Sequence, residues 1–158
     1  LIIAVNKWDS VEPDRVKREA VADHIAREFP FAYWAPLIFI SAVTGANTAK
    51  IFELAAEIAE TRQQKIKTSD LNGWLRSAVD TQPPAGLKNT QPDLTYMIQE
   101  ADNPTPSFKI FGRGSRQLHF SYRRYLERCF RQKWSFIGTP VKFWFIDKKE
   151  DSGHRGQD

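Results

Sequence analysis

Leu1-Ile2-Ile3-Ala4-Val5-Asn6-Lys7-Trp8-Asp9 opens the chain, and its reading decides the fold of the first half. Five apolar residues in a row, without alternation, predict a parallel strand buried on both faces. Glu12-Pro13-Asp14 then supplies an acidic first turn with an early proline, which predicts a helix. That helix is expected to run to about Phe29, with Val21, Ala22, Ile25, Ala26 and Phe29 on one face, and Pro30 ends it. Leu37-Ile38-Phe39-Ile40 reads as a second buried strand, and residues 48–60 as a helix with Ile51, Leu54, Ala55 and Ile58 on one side. Strand–helix–strand–helix in the first 60 residues is half of a doubly wound α/β sheet. A chain that starts inside a strand is expected to be part of something longer.

The whole chain has 158 residues, which suits one ordinary domain or two small ones. With 41% hydrophobic and 13% aromatic residues it can build a core, which excludes wholesale disorder. Mean hydropathy is −0.50, and no apolar run approaches the ~20 residues of a bilayer span. The opening run meets Asn6-Lys7 after five residues and has no basic stretch before it, so it does not read as a signal peptide. The single cysteine, Cys129, excludes an internal disulfide and a Cys-rich zinc cluster. A reducing, cytoplasmic setting with no membrane partner is the expectation.

Charge marks a boundary. Residues 1–60 hold 6 Lys/Arg against 9 Asp/Glu, and residues 61–158 hold 17 against 10, so net −3 turns to +7. The basic half is the candidate for an anionic partner. There, Thr68-Ser69-Asp70 is expected to cap a helix whose Leu71, Trp74, Leu75, Ala78 and Val79 follow helical spacing. A Pro/Gly/Asn-rich loop spans 82–92, and strands follow at about 94–100 and 108–112. A long helix is expected from Ser115 to about Lys133, with Leu118, Tyr122, Tyr125, Leu126, Cys129 and Phe130 turned to the core. A last strand covers Val141–Ile146, and the tail from 148 is polar. The order α–β–β–α–β predicts a compact α+β module with a three-stranded sheet.

The residues that carry chemistry sit where the first strand ends. In open α/β sheets ligands bind beyond the carboxyl ends of the strands. A carboxylate at Asp9 can accept two hydrogen bonds together, from the ring N1–H and the 2-amino group of guanine. Adenine offers neither, and would leave that carboxylate unpaired at a cost of a few kcal/mol. Asn6 can brace the loop, and the stem of Lys7 can lie across the base. Ser41-Ala42 ends the second strand, and the Ala42 N–H can donate to guanine O6. The plainer alternative is an Asx-type turn entering a helix, with Asp9 merely its cap.

Asn6-Lys7-x-Asp9 with Ser41-Ala42 resembles the base-recognition residues of translation-factor-like GTPases. The blocks NKWDSV, ISAVTG, TSDLNGWL, TYMIQ, NPTPSFKIF and SYRRYLERCFRQKWSFIGTPVKFWF resemble, in order, the Der (EngA) family of bacterial tandem-domain GTPases. The resemblance runs from residue 1 to about 146. It implies that residues 1–62 are the C-terminal part of a second GTPase domain, that 63–147 form a KH-like domain, and that 148–158 are a tail. It further implies GTP or GDP with Mg2+ in the full-length protein, upstream GTPase domains in the same chain, and action on the large ribosomal subunit and its rRNA. Asn6, Lys7, Asp9, Ser41 and Ala42 match the base-binding positions.

No G-x-x-x-x-G-K-[ST] occurs in the sequence, so the phosphate-binding loop and the Mg2+ hydroxyl are expected upstream. Without them the chain should not hydrolyse GTP. Lost phosphate contacts worth about 4 kcal/mol would weaken nucleotide binding roughly a thousandfold. No paired carboxylates, Ser/His/Asp set or metal-ligand spacing occurs in the second half, and His24, His119 and His154 are scattered. No catalytic and no metal-binding residue is therefore assigned.

Arg116, Arg123, Arg124, Arg128 and Arg131 fall within an arc of about 140° if residues 115–133 form one helix. Arginine forks suit phosphate, so this stripe is the candidate RNA contact; a solvated helix face is the alternative. On the last strand, Phe143 and Phe145 alternate with Lys142 and Trp144, so one face can carry an exposed aromatic beside a cation. The G-x-x-G of KH domains is absent between helices, and Gly112-Arg113-Gly114-Ser115 has a different spacing, which favours recognition by shape and charge. Two functional readings remain: the base-recognition half of a GTPase joined to a ribosome-docking domain, or a stand-alone RNA- or ribosome-binding module. A third has the KH-like domain pack on GTPase domains and sense their nucleotide. The bare edge of a half-sheet also predicts self-association.

Overall fold

Two parallel strands with a helix between them form the framework of the first unit. β1 (Ile3–Val5) lies beside β2 (Leu37–Phe39), with Ile3 opposite Leu37 and Val5 opposite Phe39. Parallel neighbours need a long crossover, and α1 (Arg18–Glu28) supplies it; α2 (Ala49–Arg62) follows β2. The computed structural model describes residues 1–12, 16–84, 91–101 and 103–147. The chain divides into two compact units, one of Leu1–Gln64 with Ser135–Pro140, the other of Lys65–Trp134 with the strand after Pro140.

The strand–helix–strand–helix order is as the sequence predicts, but burial is thinner. Ile3 and Val5 are half-buried, while Ala4 is exposed and Leu1 is 57% exposed. β1 is therefore covered on one face rather than two, because a sheet of two strands is too narrow to sandwich. α1 starts at Arg18, later than the sequence suggests, from an extended Lys17 with no side-chain cap. Pro13 and Asp14, the proposed start, lie outside the described residues. Val21, Ala22 and Ile25 of α1 and Ile51, Leu54 and Ile58 of α2 are half-buried; Ala26, Phe29 and Ala55 are exposed. The segment 135–140 completes this unit: the Gly138 N–H donates to the Trp34 carbonyl at 2.9 Å, and the Leu1 amine donates to the Gly138 carbonyl. A Cβ on Gly138, which has φ 64°, would stand 2.2 Å from Ile58 Cδ1, so only glycine fits there.

The second unit is a three-stranded sheet in the order β3-β4-β5 with two helices. β3 (Asp93–Gln99) pairs antiparallel with β4 (Ser107–Arg113), and β5 (Lys142–Asp147) pairs parallel with β4. The α+β KH-like fold and its three-stranded sheet match the expectation. α3 (Thr68–Thr81) buries Leu71, Trp74, Leu75 and Ala78, the stripe that its spacing predicts. α4 (Phe120–Lys133) buries Tyr122, Leu126 and Phe130. The Phe130 ring lies 4.7 Å from that of Phe108, 5.2 Å from Phe143 and 5.3 Å from Trp74. Both helices therefore meet one face of the sheet, on which Met97, Phe108 and Ile110 are fully buried. Phenols bind α4 to the end of α3: Tyr125 donates to the Ala78 carbonyl at 2.9 Å and Tyr122 to that of Gln82 at 2.8 Å. Burial, with smaller contributions from Tyr125 and Cys129, pushes the Tyr122 phenol well above its usual range.

Two local expectations change, and one sheet edge is closed in a way that the sequence does not signal. Thr68 is the first helical residue of α3 and Lys67 its extended cap, so Thr68-Ser69-Asp70 does not cap the helix by side chain. The expected single helix from Ser115 is broken: Ser115–Gln117 is a 3-10 turn, Leu118 and His119 are extended, and α4 starts at Phe120. The cause is a carboxylate. Asp147, at the end of β5, accepts from the Ser115 hydroxyl at 2.9 Å and the Arg116 N–H at 3.2 Å, which holds the turn. His119 then caps α4, its Nδ1 accepting from the Ser121 N–H. Finally, the free edge of β3 is occupied by a side chain: Asn72 of α3 accepts from the Met97 N–H at 2.9 Å and donates to its carbonyl at 3.0 Å. One amide thus imitates a neighbouring strand and blunts the edge. Among the described residues no helix is long and apolar enough to cross a membrane.

Candidate functional site

β1 and β2 are parallel, so the loops after them emerge at the same edge, and one side chain joins them. Asn6 Oδ1 accepts from the backbone N–H of Lys7 at 2.7 Å and of Ala42 at 3.1 Å. Trp8 N–H donates to the Ile40 carbonyl at 3.0 Å, a second bridge between the two strand ends. Asn6, Lys7, Asp9, Ser41 and Ala42 are thereby brought together. The Ala42 N–H, which the sequence reading assigns to guanine O6, is engaged by Asn6 here, because the carboxamide that braces one loop reaches across to the other.

Lys7 adopts a left-handed conformation, φ 62° and ψ 31°. A non-glycine residue in that region stores about 1 kcal/mol or more of strain, and the Asn6 bridge holds it. Behind the loop the half-buried Trp8 ring packs edge-on against Phe39 at 4.4 Å, and the Arg18 guanidinium lies 5.7 Å and 5.6 Å from the two rings. Asp9 is exposed. A hydrogen bond from Ser41 outweighs partial burial and, with bonds at Asp9 itself and Ser10, lowers its carboxyl below the ordinary value of 3.8. Asp9 is therefore a carboxylate at neutral pH, an acceptor for paired N–H donors. Ser41 is itself 1% exposed, and its Oγ accepts from the Thr44 N–H at 3.1 Å. Beside Asp9 opens a cleft of about 640 Å³ lined by Trp8, Asp9, Val11, Val16, Lys17, Arg18 and Glu19.

Sequence reading missed Asn47. It sits at φ 59°, and its Nδ2 donates to the Phe39 carbonyl at 3.0 Å, closing the loop that carries Ser41 and Ala42. The available signal was an asparagine two residues after Gly45, since asparagine tolerates left-handed backbone.

The arginine stripe is rearranged by the break before α4. Arg116 lies on the 3-10 turn, off the helix, so the five residues share no helical face. Arg123 donates from Nη2 to the Arg116 carbonyl at 2.7 Å and covers the Phe145 ring at 4.8 Å. Arg124 covers the Phe120 ring at 5.0 Å, and Arg128 is exposed. The Arg131 side chain is only 6% exposed and pairs with Glu127 at 3.1 Å, which turns it away from solvent. Of the five arginines, Arg116, Arg123, Arg124 and Arg128 are exposed.

Asp70-Leu71-Asn72-Gly73 spells D-x-x-G, but it lies in the first turns of α3, with Leu71 buried and Asn72 on the β3 edge; its role is structural. No group of three or more His, Cys, Asp or Glu suited to a metal ion occurs among the described residues.

A sheet of three strands with helices on one face, following a parallel β–α–β–α unit, defines the class: a KH-like α+β domain behind an α/β segment. Residues 65–145 match the family described as KH-domain-like of EngA bacterial GTPase enzymes, C-terminal. The chain belongs to this EngA family. It is 38% identical over 152 residues to the GTPase Der of Herpetosiphon aurantiacus, covering 96% of this chain and 33% of that protein. Against the GTPase Der of Thermomicrobium roseum the identity is 35% over 154 residues, 96% of this chain and 33% of the relative. Against that of Gloeobacter violaceus it is 38% over 155 residues, 98% and 34%. The chain spans about a third of the length of the curated relatives it matches.

Proposed function

We propose that residues 1–64 form the guanine-recognition half of a GTP-binding protein of the Der kind, and that the KH-like unit docks it on rRNA of the large ribosomal subunit. The observation that carries this reading is the Asn6 carboxamide, which joins the loop of Asp9 to the loop of Ser41 and Ala42. An exposed, ionised Asp9 suits the N1–H and 2-amino pair of guanine. Asn6, Lys7, Asp9, Ser41 and Ala42 are assigned to the base, the Ala42 N–H passing from Asn6 to guanine O6 when the base binds. The relatives named GTPase Der support hydrolysis of GTP as the activity of the longer protein, with Mg2+ and the phosphates held by residues outside this chain. The chain alone recognises a base without its phosphates and does not turn over GTP. Ribosome assembly in the cytoplasm is the process this combination serves.

Calorimetric titration of GDP and ADP into the chain, and into a form extended upstream through a phosphate-binding loop, tests the reading. Binding of GDP over ADP by the extended form, lost on Asp9→Ala, is the expected result. If neither nucleotide binds the extended form, the guanine assignment fails. The stand-alone RNA- or ribosome-binding module, which the net positive charge of the second half favours, then takes its place.

A further inference from the structure

The two faces of the KH-like sheet are unlike. One is packed against α3 and α4. The other face is defined by register: Tyr96 of β3 opposes Phe111 of β4, and Lys109 of β4 opposes both Ile98 of β3 and Trp144 of β5. Strand alternation puts Lys142 and Ile146 on the same side. Tyr96 is 43% and Trp144 50% exposed, Lys142 is exposed, and Ile98, Lys109, Phe111 and Ile146 are half-buried. The Tyr96 and Phe111 rings lie 6.1 Å apart. Large aromatics left in water on a flat sheet cost free energy that a folded monomer normally recovers by burial.

Their surroundings select a partner. Trp144 lies opposite Lys109 in the register and two residues from Lys142 on its own strand. Glu100 and Lys109 pair at 2.7 Å, so the exposed Lys142 is the cation that this face offers. Residues 65–147 hold 13 Lys/Arg against 7 Asp/Glu, so the unit as a whole draws a polyanion. An aromatic platform on the sheet of a basic unit, edged by Lys142, matches what single-stranded nucleic acid needs: π-faces for unstacked bases and positive charge for the backbone.

We propose that this open face, with Tyr96 and Trp144 as stacking residues and the exposed Lys142 as a phosphate contact, binds single-stranded RNA. It rests on the RNA-docking reading above but places the contact on the sheet rather than on the arginines of α4. Recognition is tolerant of sequence, because every base presents a π-face, and it weakens steeply with salt.

Fluorescence anisotropy of the full chain with a labelled oligouridine, and with a duplex RNA hairpin for comparison, tests the assignment. Trp144→Ala and Tyr96→Ala should each weaken oligouridine binding about tenfold or more, and Trp144→Phe should restore most of it. Lys142→Ala should make the salt dependence shallower. If oligouridine binds with unchanged affinity in both alanine variants, the platform is overturned. If the hairpin binds and oligouridine does not, the platform falls while RNA docking stands. If neither RNA binds, both fall, and the face is left to a protein partner. The far-ultraviolet circular dichroism of Trp144→Phe and of the alanine variants checks that loss of binding is not loss of fold.

Discussion

The two units differ in how they hold themselves together. Among the described residues, the KH-like unit buries a dozen apolar side chains from both helices and all but one of its strands, gathered around Phe130. The first unit buries Ala32, Ile38 and Ile40, with Phe136 from the 135–140 segment, and neither α1 nor α2 has a buried residue. Meanwhile Phe31 is 69%, Phe52 77% and Val43 86% exposed. Burial is the main favourable term in folding, so one unit is a self-sufficient core and the other a framework for two loops. The loops are kept in place by hydrogen bonds of Asn6 and Asn47, backed by the Trp8 ring on Phe39.

The sharpest way to break this contrast is to empty the better core. Phe130→Ala should cost about 3–5 kcal/mol and abolish cooperative melting of the second unit in calorimetry. If the loss is under about 1 kcal/mol, the aromatic cluster is not what holds that unit. Hydrogen exchange reads the contrast directly: amides of β3, β4 and α4 should exchange on the order of a thousandfold more slowly than those of α1 and α2. Uniform protection would mean the first unit is stabilised by something other than burial. Gly112 approaches β3 so closely that a Cβ would stand 1.8 Å from the Asp93 carbonyl oxygen. Gly112→Ala should therefore destabilise by roughly 2–3 kcal/mol in urea titration.

Asn72→Ala removes both bonds to Met97 and should cost about 1–2 kcal/mol, with a new tendency to associate that sedimentation velocity would detect. The smallest effect is one of pH. Burial raises the Asp147 carboxyl, but bonds from the Ser115 hydroxyl and the Arg116 and Ser115 N–H groups, with the Arg116 charge, bring it below 3.8. A depressed carboxyl stabilises above the unfolded value, and that contribution is lost as pH falls through the folded one. Ser115→Ala should thus lower stability slightly at neutral pH and not at all in strong acid, as paired urea titrations would show.

Periodicity made the framework legible. Leu71, Trp74, Leu75 and Ala78 announced α3 and its buried face, and two apolar runs with a helix between them announced a parallel pair. The meeting of Asn6 with Ala42 was readable for the same reason, since parallel strands deliver both loops to one edge. What stayed hidden depends on partners remote in sequence. The break at 118–119 is imposed by Asp147, 32 residues beyond Ser115, and no local pattern signals it. The Asn72 grip on Met97 spans 25 residues. Arg131 looked like a surface cation until Glu127 and burial removed it from the stripe. The half-buried state of β1 was invisible because an apolar run says what a strand prefers, not how much of a sheet is there to cover it.

Residues 135–140 have one further consequence. They complete the first unit but are encoded inside the second, between α4 and β5. The boundary at 64–65 is therefore a structural seam without being a genetic one. A recombination event joining residues 1–64 to an unrelated partner would strip away Gly138 and its bonds to Trp34 and Leu1. The two halves are spliced into each other's sequence, and neither can be exchanged as a cassette without carrying part of the other with it.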